Sequence, residues 1–333
     1  MEINVKSLKL KYLIMKFISI PKNGSSWRER LPYSFTTESQ EKQDVTVEIV
    51  NSTTGALLGT MRLYGVTEAE VDIAPYIRQH LSLAPLDTSR QVDLQVSPSA
   101  ISVVVRVGGV ASEARVFFRM NFDYSAVGVL SGAPQSQTIL SGETIRLTIF
   151  SQSRVDGTVT VTGGKGATVK CEGLTYGMPM ELIVPTRVLS GAERVSVMLR
   201  CDGKGVIIYT YNVAPRLSTA QRLVWYNAKG GIESYLFDHA MHLNYAVSRE
   251  DDHATGAKSV DGRVRYRLCS GCELQAEMDR ITQLMLSPVV YREVGGICRE
   301  VAVESREVEF DSKGLLHTLK LDLSEAWKGG KLW

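Results

Sequence analysis

The chain has 333 residues, with 38 Lys and Arg against 36 Asp and Glu, a formal net charge of +2. That balance excludes a protein that binds polyanions through bulk charge. Hydrophobic residues at 44% and charged residues at 22% exclude a largely disordered chain, and no run reaches the ~18 apolar residues of a membrane span.

The first twenty residues carry Lys9, Lys11 and Lys16, which break the apolar stretch below the length of a signal-peptide core. The expectation is a leading strand with no signal peptide, with Met15 as a second candidate start, and the irregular cysteines fit synthesis in a reducing cytosol. Pro21 to Gly24 is a turn signal. Residues 45–50 alternate with period two, 51–55 form a polar turn and 57–64 return, a hairpin pattern. Pro75 sits in the first turn of a short predicted helix reaching Leu81. Three more strands are predicted at 91–96, 101–107 and 111–118, the last two joined at Gly108-Gly109. The uncharged run from Tyr124 to Gly142 reads as a linker. Six further strands follow between Glu143 and Val213, with turns every 8–12 residues.

The third segment differs. Strands at 222–226 and 232–237 flank Gly230-Gly231, and 239–258 is polar without a period, so it is predicted to be a long loop. After a strand at 263–268, Ser270-x-x-Glu273 has the form of a capping box. The following helix, about 273–286, places Leu274, Met278, Ile281 and Met285 on one apolar face and stops at Pro288. Further strands are predicted to the end.

The predicted fold class is mostly β: two tandem immunoglobulin-like β-sandwich domains, 1–122 and 123–215, then a β-barrel-like α+β domain, 216–333, with one main helix. This last domain is expected to be a split-barrel-like assembly domain.

Cysteines at 171, 201, 269, 272 and 298 are odd in number and irregular in spacing, which does not form a disulfide framework. The best metal-ligating residues are His239, His242 and His253, near Asp238, Asp251 and Asp252, with Cys269 and Cys272 downstream. Their spacing matches no standard zinc site, and no metal or other cofactor is expected. No nucleophile elbow is present. Gly163-Gly164-Lys165-Gly166 lacks the rest of a phosphate loop and reads as a hairpin turn. Tyr209, Tyr211, Trp225, Tyr226, Tyr235 and Phe237 could stack on RNA bases or sugars, but alternation makes them core and cross-strand pairs first.

One stretch carries a family signal. Arg222 to Phe237, with Trp225, Asn227, Gly230, Gly231, Tyr235 and Phe237, resembles the W-x-N-x-x-G-G-x-x-x-Y-x-F segment of tailed-phage and prophage structural proteins of gut bacteria, distal-tail-protein-like. Ser287-Pro288-x-x-Tyr291, Val301 to Val303 and Val71 to Arg78 fit the same group. The resemblance implies a non-enzymatic tail-tip or baseplate protein of the virion. It would form a ring-shaped homo-oligomer and contact other tail proteins, without nucleic-acid specificity or membrane insertion. The assembly contact is expected in the excursion with His239, His242, Asp251 and His253. The alternative is a β-sandwich module that binds a host-surface glycan or protein.

Overall fold

A computed structural model describes residues 15–326 except 38–40, 87–90, 121, 123–127, 153–154, 163–166, 175–176, 190, 202–204, 218, 253–255 and 306–308. The protein is mostly β and divides into two compact units, Met1–Ser82 with Ser99–Met120, and Leu83–Pro98 with Asn121–Trp333.

The first unit is a β-sandwich. One sheet is antiparallel, in the order Lys16–Ser19, Pro32–Thr36, Glu68–Asp72. The other runs Ser25–Ser26, Arg115–Phe118, Ala100–Val107, Gln43–Asn51, Leu57–Val66, with Val110–Ala111 added on Ala100–Val107. Alternation puts Val45, Val47 and Ile49 of one strand, and Val103, Val105 and Val107 of its neighbour, into the space between the sheets. Tyr33, Phe35, Val71 and Phe117 fill the rest of that core. The Asn51 carboxamide accepts the backbone N–H groups of Thr53 and Thr54 at 2.9 and 3.1 Å, which fixes the predicted polar turn. The predicted short helix is Ala74–Ile77, extended by a 3-10 turn, Arg78–His80.

The second unit contains the second sandwich. Its sheets are ordered Gly128–Val129, Thr144–Phe150, Met180–Pro185, Asp93–Val96, and Ser136–Leu140, Gly205–Ala214, Arg194–Cys201, Val155–Thr162, Ala167–Leu174. Ile145, Leu147, Leu182, Val184, Val195, Val197 and Tyr211 form its core. Two expectations change here. Strand Asp93–Val96 pairs with Met180–Pro185, although the domain 1–122 was predicted to hold it; alternation marks a strand but not its sheet. The expected linker Tyr124 to Gly142 contributes two strands, because short edge strands of Ser, Thr and Gly have little apolar signal. Residues 163–166 lie outside the described residues, and the strands on either side of them pair antiparallel.

The rest of the second unit is a nine-stranded sheet curved over one helix. Its main path is Ile232–Phe237, Gln221–Tyr226, Val290–Val294, Ile297–Val303, Leu316–Ala326, Gly256–Cys269, Ala240–Asp252; Glu273–Leu274 and Glu309–Lys313 also pair with Leu316–Ala326. The helix is Gln275–Thr282, followed by a 3-10 turn, Gln283–Leu286. Met278, Ile281 and Leu284 are buried against Trp225, Phe237, Leu268, Leu321 and Leu323. Leu274 is exposed, because it precedes the helix rather than belonging to its inner face. The capping box does not form. Ser270 Oγ accepts from Leu319 N at 2.8 Å and Glu273 accepts from Tyr235, so tertiary partners take both side chains and the cap position falls to Leu274.

Candidate interaction site

The resemblance motif is a β-hairpin whose turn docks onto the second sandwich. Gln221–Tyr226 pairs with Ile232–Phe237. Asn227 closes the turn: its Oδ1 accepts from Lys229 N and Gly231 N, each at 2.9 Å. Its Nδ2 donates to Leu130 O at 2.6 Å and to Glu233 Oε1 at 2.9 Å. All the polar capacity of this buried amide is used, which an Asp or Ser could not reproduce. Gly230 has φ +84°, favouring glycine. At Gly231 the reason is space, since an added Cβ would lie 2.6 Å from Leu130 Cβ and 2.8 Å from Leu130 O. Trp225 and Phe237 are fully buried in the core, and Tyr235 packs edge-on to Phe237 with ring centroids 5.0 Å apart. Tyr235 OH donates to Glu273 Oε1 at 2.6 Å and accepts from Gly271 N at 3.1 Å.

Three buried carboxylates tie the hairpin and its neighbours to the second sandwich, and none stood out in the sequence. Glu233, 2% exposed, accepts from Asn227, Ser131 Oγ at 3.2 Å, Arg280 Nη1 at 2.8 Å and Gly132 N. Arg222 Nε donates to Glu143 Oε2 at 2.8 Å, and its Nη2 reaches Thr138 O at 2.7 Å. Arg146 Nη1 donates to Glu293 Oε2 at 3.0 Å, while Glu293 Oε1 accepts from Thr144 N at 2.7 Å. Burial raises the Glu293 carboxyl above its ordinary range against the pull of Arg146. Glu181, fully buried nearby, is pushed up to about 7 by burial, with only Ser97 Oγ at 2.5 Å, a backbone bond at Leu86 and the Arg146 charge opposing. In sequence these Arg and Glu residues look like the polar faces of strands. The Arg and Glu of each pair are 47 to 147 residues apart, beyond the reach of local pattern.

The predicted loop at 239–258 is instead a long two-stranded arm, Ala240–Asp252 paired with Gly256–Cys269. The expectation failed because the stretch is polar without alternation, and pairing along a backbone ladder needs no hydrophobic period. Only Arg263–Cys269 of the return strand also pairs with Leu316–Ala326. Beyond Val247 and Gly262, which face each other, the two strands pair only with one another, over about 20 Å at ~3.3 Å per residue. Ala240–Asp252 ends the sheet, so its outer edge holds no strand among the described residues.

At the arm's base, Met241, Leu243 and Tyr245 stand opposite Leu268, Tyr266 and Val264 and share their face. The core covers that face only partly, leaving Leu243 44% and Tyr245 57% exposed. On the other face, His242 and Asn244 line a groove of about 580 Å³ with Arg265, Arg267, Glu304 and Asp322. Arg267 grips Asp322 through two hydrogen bonds of 2.8 and 2.9 Å, and holds the Asp322 carboxyl below its usual range.

The histidines named from the sequence are separated. His239 is exposed and lines a different cleft, of about 600 Å³, with Asp238, Cys272, Glu273 and Glu277. His242 lies in the groove, Asp251 pairs with Ala257 near the tip, and His253 lies outside the described residues. Cys269 pairs with Ala240 and is half-buried, whereas Cys272 is exposed. Among the described residues no three His, Cys, Asp or Glu side chains are grouped to hold a metal ion.

No protein-family model and no curated protein matches the sequence. Among solved structures, the chain is similar to the Dpr2 Ig1-Ig2 fragment crystallised with DIP-Theta, at 9% identity and TM-score 0.18, over 61% of this chain and 99% of that one. It is similar to the I9-I11 tandem of titin, at 10% identity and TM-score 0.19, over 95% and 96%. It is also similar to domains 4-9 of the surface layer protein SbsC, at 10% and 0.20, over 96% and 43%. Likeness of this size assigns no function.

Proposed function

We propose that this chain is a non-enzymatic structural protein that works by strand-mediated association, as a ring-forming component of a phage tail tip or baseplate. The observation that carries the association is the arm: a 13-residue strand that ends its sheet among the described residues, beside exposed Leu243 and Tyr245. An open edge of this length is a template for a further strand, and soluble proteins seldom leave one bare. A second copy fits it by charge. Residues 248–261 of the outer half carry Glu250, Asp251, Asp252 and Asp261 against Arg249 and Lys258, an acidic balance, whereas the base carries Arg263, Arg265 and Arg267, the last two partly matched by Glu304 and Asp322. A head-to-tail contact therefore sets acidic tip near basic base, the heterologous arrangement that closes into rings. The tail assignment comes from the resemblance of Arg222 to Phe237, whose Asn-Gly-Gly turn serves as a rigid joint. Other tail proteins are the further partners, and the virion is the location.

The second reading, a β-sandwich module that binds a surface glycan or protein, draws on the arginine cluster described below. Light scattering of the purified chain tests the first reading: a closed oligomer of fixed size is expected. A monomer at all concentrations up to about 100 μM, a generous range for an assembly interface, contradicts it.

A further inference from the structure

The first sandwich carries a compact cationic cluster built around one indole. The Trp27 ring has three guanidinium carbons around it: Arg78 at 5.3 Å, Arg119 at 5.5 Å and Arg28 at 6.0 Å from its centroid. The indole is fixed in place. Its backbone N–H donates to Phe118 O at 2.9 Å, and its Nε1 donates to Arg119 O. Arg119 Nη1 is held on Leu81 O at 2.5 Å, just past the Arg78–His80 turn. Arg28 and Arg78 are exposed.

Among the described residues, none of the three arginines has a carboxylate within ion-pair distance, whereas neighbouring Arg30 is matched by Glu70 at 2.9 Å. Three like charges gathered on one ring repel one another. The aromatic face offsets part of that cost, and a bound anion would offset the rest. Guanidinium groups present paired N–H donors that match the oxygens of carboxylate, sulfate or phosphate.

We propose that Arg28, Arg78 and Arg119 around Trp27 form a binding site for an oxyanion carried on an acidic glycan. The site is local: three guanidinium groups gather on one ring in a chain whose charges nearly balance, which favours a single anionic group over the phosphate run of a nucleic-acid backbone. The three guanidinium groups crowd the indole, so it offers bases no free stacking platform. The inference is independent of the arm and of ring formation.

The test is equilibrium binding of the full chain to dextran sulfate, polygalacturonate and polyphosphate, with uncharged dextran and a single-stranded DNA oligonucleotide alongside. Arg28→Gln, Arg78→Gln and, as a control for charge loss alone, Arg194→Gln in the second sandwich complete the set, each checked for folding by its thermal transition. Arg28→Gln removes a side chain with no hydrogen bond of its own among the described residues, so it leaves the fold intact. Binding to at least one acidic polysaccharide is expected, weakened roughly tenfold by Arg28→Gln or Arg78→Gln, the scale of one charge-assisted hydrogen bond, and unchanged by Arg194→Gln. The dextran sulfate and polygalacturonate arms separate sulfate from carboxylate recognition. No preference for acidic over uncharged polysaccharide, equal loss in Arg194→Gln, or tighter binding to polyphosphate or DNA than to either acidic polysaccharide would overturn the proposal.

Discussion

Replacing Glu233 with alanine removes the acceptor on which four donors converge. Arg280 keeps Glu277 through a hydrogen bond of 2.9 Å, and Asn227 keeps Leu130 O. Gly132 N–H loses its side-chain acceptor, and Ser131 Oγ loses the carboxylate it donates to. Breaking a buried ion pair by deleting one partner costs about 3–5 kcal/mol. Because Glu277 continues to neutralise Arg280, the lower end, about 3 kcal/mol, is expected. For a unit of this size that is a fall in Tm of roughly 6–12 °C. Urea and thermal unfolding followed by tryptophan fluorescence measure it, with Arg30→Ala as the comparison. The exposed Arg30–Glu70 pair should be worth no more than about 1 kcal/mol. If Glu233→Ala loses no more than Arg30→Ala does, the joint is not held in the way described.

Gly231→Ala should destabilise the second unit by about 1–3 kcal/mol, because its Cβ meets the backbone carbonyl of Leu130 rather than a side chain that can turn away; the same unfolding assay reads it, and a neutral result would contradict the close approach. Glu181 supplies a pH signature. Burial pushes its carboxyl up to about 7 from the ordinary 4.5, so between these values the native state holds a proton that the unfolded chain releases. Its contribution is greatest below pH 4.5 and is lost as pH rises through 7, a fall of about 3 kcal/mol. Denaturant titrations between pH 4.5 and 8 should show that decline relative to Glu181→Gln, and parallel profiles for the two proteins would refute it.

Much of the sandwich architecture was legible because half-buried strands must alternate: Val45, Val47 and Ile49, or Val195 and Val197, name their own inner faces. The Asn227-to-Gly231 turn was legible as well, since Gly-Gly between two alternating runs marks a hairpin turn and Gly230 has the left-handed backbone that favours glycine. Its role as a docking surface was not, because Phe122, Leu130 and Thr148, which receive it, are distant in sequence. The arm was misread for a related reason. Strands joined by a backbone ladder need not carry a side-chain period, and the ladder itself leaves no mark on the sequence. Glu143, Glu233 and Glu293 were passed over because a buried carboxylate and a solvated one are the same letter. Only the facing arginine, set by the tertiary fold, tells them apart.

The central claim is that the arm carries association through contact of its acidic outer half with the base of a second copy, and removing that outer half tests the claim most directly. Val247 and Gly262 face each other across the pair, so replacing residues 248–261 with Asn-Gly closes the hairpin with a two-residue turn. The Arg263–Cys269 ladder to the neighbouring strand is left untouched. Mass by light scattering should show a closed oligomer for the full chain. The shortened protein should be a folded monomer with an unchanged thermal transition. A shortened protein that still forms the oligomer of the full chain would contradict the account.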